Sequence, residues 1–192
     1  MRLFGALLLC FLLAGCFTAG KRGGDVAMTI YDFGPLPEQR QGAERNVPMA
    51  LEVRVPLWFD SLGINYRLLY AEPARLHEYT RGRWAGPLSQ MIQRRLIRQL
   101  GFVPSGQGRA ACLLRIEIDE FSQIFTSAIE SHAVMQGNLR WLDRRRGLLA
   151  ERPLSFRLTA ETPDAHGGVA ALTATVSQLT VTIESLEHEA DL

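Results

Sequence analysis

Four histidines, His77, His132, His166 and His188, are the residues best suited to proton transfer or metal ligation at neutral pH in this 192-residue chain. No two stand at a ligand spacing such as H-x-x-x-H, and none lies near a cysteine pair, so the sequence carries no zinc-type signature. Glu117 and Asp119 sit two residues apart, on one face of a strand pattern, where an acid and a base would work together. They also alternate with Ile116 and Ile118, so a solvated strand face accounts for them better. No G-x-S-x-G elbow occurs. Gly106-Gln107-Gly108 lacks the lysine of a phosphate loop and reads as a turn. No catalytic residue, metal ligand or cofactor site is predicted, and the chain reads as a non-enzyme.

Sulfur chemistry is more informative. Met1-Arg2 precedes the apolar run LFGALLLCFLLAG, the charge-then-apolar order of a secretory signal. A transmembrane helix needs roughly 20 apolar residues, and Lys21-Arg22-Gly23-Gly24-Asp25 blocks any extension of this run. The run ends in Leu13-Ala14-Gly15-Cys16, which resembles the lipobox of bacterial lipoproteins. That resemblance implies a diacylglycerol on the Cys16 thiol, cleavage just before it, and acylation of the new amino group. Cys10 then leaves with the leader, and Cys112 is the one thiol of the mature domain, so no internal disulfide forms. Its setting, AACLLRIEI, suits a small buried hydrophobe. Phe17 is not the aspartate that often retains such lipoproteins at the inner membrane. The expected location is the periplasmic side of the envelope, with the outer membrane favoured over the inner.

Composition sets the remaining bounds. With 47% hydrophobic and 21% charged residues, the chain suits one well-buried domain. A net charge of +1 offers no global field for nucleic acid. The organisation read from the sequence is a signal peptide over 1–15, a Gly-rich tether over 16–27, and a single domain over 28–192.

The elements of that domain follow from periodicity. MTIYDFGP reads as a short strand and residues 36–48 as a loop. ALEVRVPLW alternates, with Leu51, Val53, Val55 and Leu57 on one face and Pro56 near its end. INYRLLY alternates next, and RLHEYT is a short candidate strand. From Pro87 to Gly101, Leu88, Met91, Ile92, Leu96 and Leu100 form the stripe of an amphipathic helix. CLLRIEIDEF, SHAVMQGNLRWL and LSFRLTA then read as an antiparallel meander, with Gly137 a bulge candidate. Between Gly168 and Glu187, Val169, Leu172, Val176, Leu179, Ile183 and Leu186 recur at helical spacing despite a strand-like composition. That stripe suits core packing better than a coiled-coil seam. The predicted class is α+β: an antiparallel sheet covered by a central amphipathic helix and a C-terminal helix.

Two basic groups remain, Arg94, Arg95 and Arg98 on the helix and Arg144, Arg145 and Arg146 in a hairpin turn. On a tethered protein they suit anionic headgroups or an acidic partner, while solvated charge is the plainer account. Tyr66 and Trp84 suit an interface or the core equally.

The order of several short motifs resembles the ABC-transport auxiliary lipoproteins, the group of the paraquat-inducible C component. Tyr31-Asp32-Phe33-Gly34 matches an early aromatic motif, and Ile64 to Arg67 an I-x-Y-R strand. Arg83-Trp84-Ala85-Gly86-Pro87-Leu88 matches R-W-A-E-P-L, with Gly86 in place of glutamate. Ile116, Ile118, Asp119 and Phe121 match a later I-x-I-D-x-F strand. The resemblance implies a periplasm-facing accessory lipoprotein held in the membrane by its acyl anchor, capable of homo-oligomeric assembly. It implies as partners an ABC transporter and a mammalian-cell-entry type periplasmic protein, with phospholipid or another hydrophobic compound moved between the two membranes. The competing class is an envelope structural or outer-membrane assembly lipoprotein that binds a protein partner; a periplasmic hydrolase is a distant third.

Overall fold

The computed structural model describes residues 27–36, 38, 48–106 and 110–189. The signal, Cys16 and the tether up to residue 26 lie outside them, as do Gln107 and Gly108. In chain order the elements are β1 (Thr29–Tyr31), β2 (Met49–Arg54), β3 (Gly63–Leu68), β4 (Glu72–Trp84), α1 (Leu88–Leu100), β5 (Val103–Pro104), β6 (Cys112–Phe125), β7 (Ser131–Asp143), β8 (Leu148–Thr159) and α2 (Ala165–Glu189).

The predicted α+β class holds, and β6, β7 and β8 form the expected antiparallel meander. The rest of the eight-stranded sheet is mixed, which corrects the all-antiparallel expectation. One edge of β6 receives two strands end to end. β2 pairs parallel with Cys112–Glu117, and β3 pairs parallel with Gln123–Phe125. Consecutive strands laid along one edge in this way share a direction, and both match that of β6. β4 then turns back antiparallel to β3, while β1 and β5 add in parallel to β4 and β2. The segment expected as a short strand at RLHEYT is part of the 13-residue β4.

β2 ends at Arg54, earlier than the alternation suggested. The Pro56 carbonyl accepts the N–H groups of Phe59 and Asp60, both at 2.9 Å, and closes a turn. Leu57, expected on the core face, is therefore 87% exposed, and Phe59 takes the buried place instead. The same turn starts α1. Asp60 accepts the Ser89 N–H and the Ser89 hydroxyl, each at 2.8 Å, which satisfies one of the open donors of the helix N-terminus. At the other end Gly101 takes φ 66°, and its N–H donates to Ile97, the left-handed cap that favours glycine.

Both helices lay their stripes on one face of the sheet. Leu88, Ile92, Leu96 and Leu100 of α1 are buried with Leu51, Val53, Leu114 and Ile116. Val169, Leu172, Val176, Leu179 and Ile183 of α2 are buried against Ala133, Met135, Leu154 and Phe156. By length and composition α2 could cross a membrane, yet here its stripe serves the core. The helices also meet directly, the Thr180 hydroxyl lying 3.2 Å from Gln99 Oε1 in a buried contact.

β6 carries a bulge that sets its inward face. Its register against β7 shifts between Ile118 and Glu120. Asp119 is the extra residue, and the buried phase changes from Leu114, Ile116 and Ile118 to Phe121, Gln123 and Phe125. The sequence had suggested a bulge at Gly137; that glycine lies opposite Ile118, on the partner strand. In the second phase Gln123 is fully buried and satisfied on both ends. Its Oε1 accepts the Tyr79 hydroxyl at 2.8 Å, and its Nε2 donates to Ser131 Oγ at 2.8 Å. Burial pushes the Tyr79 phenol above its ordinary pKa, helped by Tyr66 and Asp164.

On the outer face, Glu52 gathers Arg115 at 2.9 Å, Arg54 at 3.0 Å and Arg146 at 3.6 Å. Burial raises its pKa, but the hydrogen bonds from Arg115 and Arg54 outweigh that and hold the carboxyl below its usual 4.5. A depressed folded pKa gives stability that is present above the unfolded value and lost as pH falls through the folded one. Glu52→Gln is therefore expected to cost about 1 kcal/mol at pH 7. Urea melts of both proteins at several pH values check this: the gap should close as pH drops below the ordinary carboxylate range.

Candidate functional site

The two motifs nearest the N-terminal half converge beside α1. β1 pairs with the end of β4, Tyr31 opposite Trp84, and the Ala85 N–H donates to the Tyr31 carbonyl at 2.7 Å. The chain then turns, with Gly34 at φ 76° and its N–H given to Asp32 Oδ1 at 2.8 Å. This directs Phe33 inward, where its ring lies 5.4 Å from Trp84 and 6.4 Å from Phe121. Trp84 is 2% exposed. Of the two roles open to it, core and interface, it fills the core one.

Between this turn and α1 lies an open cleft of about 670 Å³, lined by Phe33, Pro35, Leu36, Met91, Arg94 and Arg95 among others. Arg95 reaches across it and donates to the Phe33 carbonyl at 2.7 Å. Its Nε is buried without a hydrogen-bond partner. Burial pushes its guanidinium down from the ordinary value, against the pull of Asp32, and an arginine keeps its charge through such a shift. Arg94 is exposed at the mouth. Apolar walls beside two guanidinium groups can hold a molecule with an anionic end and an apolar body. Gly86, where the resembled motif has glutamate, lines the same cleft, so a carboxylate at that position would oppose these cations.

The other sequence candidates stand elsewhere. Arg98 is exposed in the last turn of α1. Arg144, Arg145 and Arg146 occupy the β7–β8 turn, where Arg144 and Arg146 line a separate cavity of about 170 Å³ with Ala50, Ser105 and Cys112. The structure does not bring the two basic groups into one site. Tyr66 is half-buried, stacked on His77 at 4.9 Å and close to Tyr79 at 4.6 Å. Glu117 is tied to Arg140 at 2.8 Å, and Arg140 also holds Glu151 at 2.8 Å, so the Glu117–Asp119 pair belongs to an ion-pair ladder beside a bulge. Among the described residues no three of His, Cys, Asp and Glu come together as a metal site.

One exposed feature, the pair Leu57 and Trp58, stands outside the residues that the sequence marks as site candidates. The signal for it was Pro56, which ends the strand one turn before the alternation does.

A mixed sheet under two helices, with an apolar and cationic cleft, has the build of a binding or accessory module. The family model for the ABC-type transport auxiliary lipoprotein component matches residues 34–184. The chain belongs to that family, and so to the lipoproteins of the cell envelope that associate with a transport system. The family is defined by an auxiliary transport role rather than by catalysis. A crystal structure of a Xanthomonas campestris protein, assigned to the DUF330 family model, superposes with a TM-score of 0.69 at 19% identity, covering 83% of this chain and 94% of that one. A second crystal structure, of an uncharacterized protein, gives 0.63 at 19% identity, covering 82% and 96%. Both likenesses concern the fold. No curated protein matches the sequence.

Proposed function

We propose that this protein is an acyl-anchored, periplasm-facing accessory subunit of an ABC transport system with a mammalian-cell-entry type periplasmic component. In this reading it helps move phospholipid or another hydrophobic compound between the inner and outer membranes. The observation that carries the reading is the family match over residues 34–184. The lipobox-like Leu13-Ala14-Gly15-Cys16 supports the anchor, and Phe17 in place of aspartate supports the outer membrane. The cleft beside Arg94 and Arg95 supports an amphiphilic cargo or an acidic segment of a partner.

The test is isolation of the transporter's periplasmic component in mild detergent, with both proteins present at native levels. This chain should co-purify with it. Reproducible absence, while the transporter's own subunits remain together, would set the reading aside in favour of an envelope assembly lipoprotein.

A further inference from the structure

The sheet edge where the N-terminal segment joins carries an unpartnered apolar and cationic surface. Met28 and Ile30 are 49% and 58% exposed. Ile30 pairs with Arg83 across β1 and β4, and Arg81 lies two residues back along β4, where the register against β3 shifts. Both arginines are exposed, and neither makes an ion pair among the described residues. Leu62 lines a groove of about 450 Å³ with Met28, Arg83 and the exposed carboxylate of Glu78. The turn leading to Leu62 presents Leu57 and Trp58, 87% and 66% exposed.

We propose that this surface seats on the bilayer that holds the acyl anchor, with Trp58 at headgroup depth. The proposal rests on acylation of Cys16. Residues 16–27 span at most about 40 Å when fully extended, so the anchor cannot release the domain from the membrane. They end beside Met28, so this edge is where the tether enters the domain. An exposed indole has one apolar flank and one N–H, the combination that settles at a membrane interface. Leu57 supplies apolar area ahead of it, and Arg81 and Arg83 face anionic headgroups. The tether raises the local concentration of lipid at the patch, so a weak contact is enough.

Trp58 reports on its own contact, because Trp84 and Trp141 are 2% and 1% exposed. The buried core begins at Phe33 and runs to Ile183, so a chain starting at residue 17 keeps all of it. Such a chain, carrying an N-terminal histidine tag, is held on phosphatidylcholine–phosphatidylglycerol vesicles through a nickel-chelating lipid. The Trp58 emission is the difference between this chain and its Trp58→Phe variant. It should move to shorter wavelength on the vesicles and be quenched by brominated acyl chains. Without the chelating lipid, Leu57→Ser with Trp58→Ser should weaken vesicle binding about tenfold or more. Unchanged emission and unchanged iodide access on the vesicles overturn the proposal. A blue shift that needs no lipid and tracks protein concentration together with a doubled mass in light scattering also overturns it, and assigns the face to a second copy. Mass spectrometry of Cys16 in the cell-made protein is read separately, so a missing anchor is not mistaken for a failed contact.

Discussion

Gly137→Ala is expected to destabilise the domain by more than about 3 kcal/mol, and enough to leave it unfolded at physiological temperature. A Cβ built on Gly137 overlaps the Glu117 carbonyl oxygen and lies 3.0 Å from Ile118 Cα. Those atoms belong to the backbone of β6, so no side chain can rotate away. Gly137 pairs with Ile118 at the register shift that leaves Asp119 as the extra residue of β6. Relief would require β6 and β7 to separate at their middle, where Ile116, Ile118, Met135 and Leu139 form the core under both helices. Gly86→Ala is the control. A Cβ there meets only Met91 Cγ, at 3.8 Å, so its cost should stay within about 0.5 kcal/mol. Urea unfolding followed by circular dichroism measures both. Equal stability of the two variants would mean that the bulge adjusts freely.

The elements that the sequence revealed best are those whose pattern answers to a single neighbouring layer. The α1 stripe Leu88, Ile92, Leu96 and Leu100 needs only the sheet beneath it, and Pro87 and Gly101 bracket it by their own backbone preferences. The α2 stripe was legible for the same reason, even though Thr and Val argued locally for a strand. Spacing outweighed propensity because burial of five large side chains exceeds the few tenths of a kcal/mol by which β-branched residues disfavour a helix. Strand direction was not legible. Nothing local in Leu51, Val53 or Ile64 says that β2 and β3 share one edge of β6; that depends on α1 and β5 carrying the chain back to the start of β6.

The site was legible in parts. In the sequence Arg94 and Arg95 read as charges on a helix, and their meeting with Phe33 and Leu36 in one cleft depends on where β1 pairs. Trp84 looks the same in sequence whether it faces a partner or the core, and the fold alone puts Phe33 and Phe121 around it. Leu57 was misplaced because alternation alone cannot tell a strand from a turn once Pro56 has removed the next ladder donor.

Cys16→Ser should change the fate of the whole chain without touching its fold. A thioether to a diacylglycerol requires a sulfur nucleophile, and a serine hydroxyl at neutral pH is far weaker than a thiol with a few per cent thiolate. Cleavage in this type of leader follows lipidation, so the variant should persist as the full 192-residue precursor. The wild type should instead begin at residue 16 and carry acyl mass. Each buried methylene contributes about 0.8 kcal/mol to membrane binding, so one acyl chain holds marginally and several hold stably. The wild type should therefore resist extraction by salt and alkali from the outer-membrane fraction, while the variant remains with the inner membrane through its uncut apolar leader. Intact-mass spectrometry of the two fractions decides the matter. Wild-type chains cut at residue 16 but bearing no lipid would remove the anchor, and with it the basis of the proposed seating of Met28 and Trp58 on the bilayer.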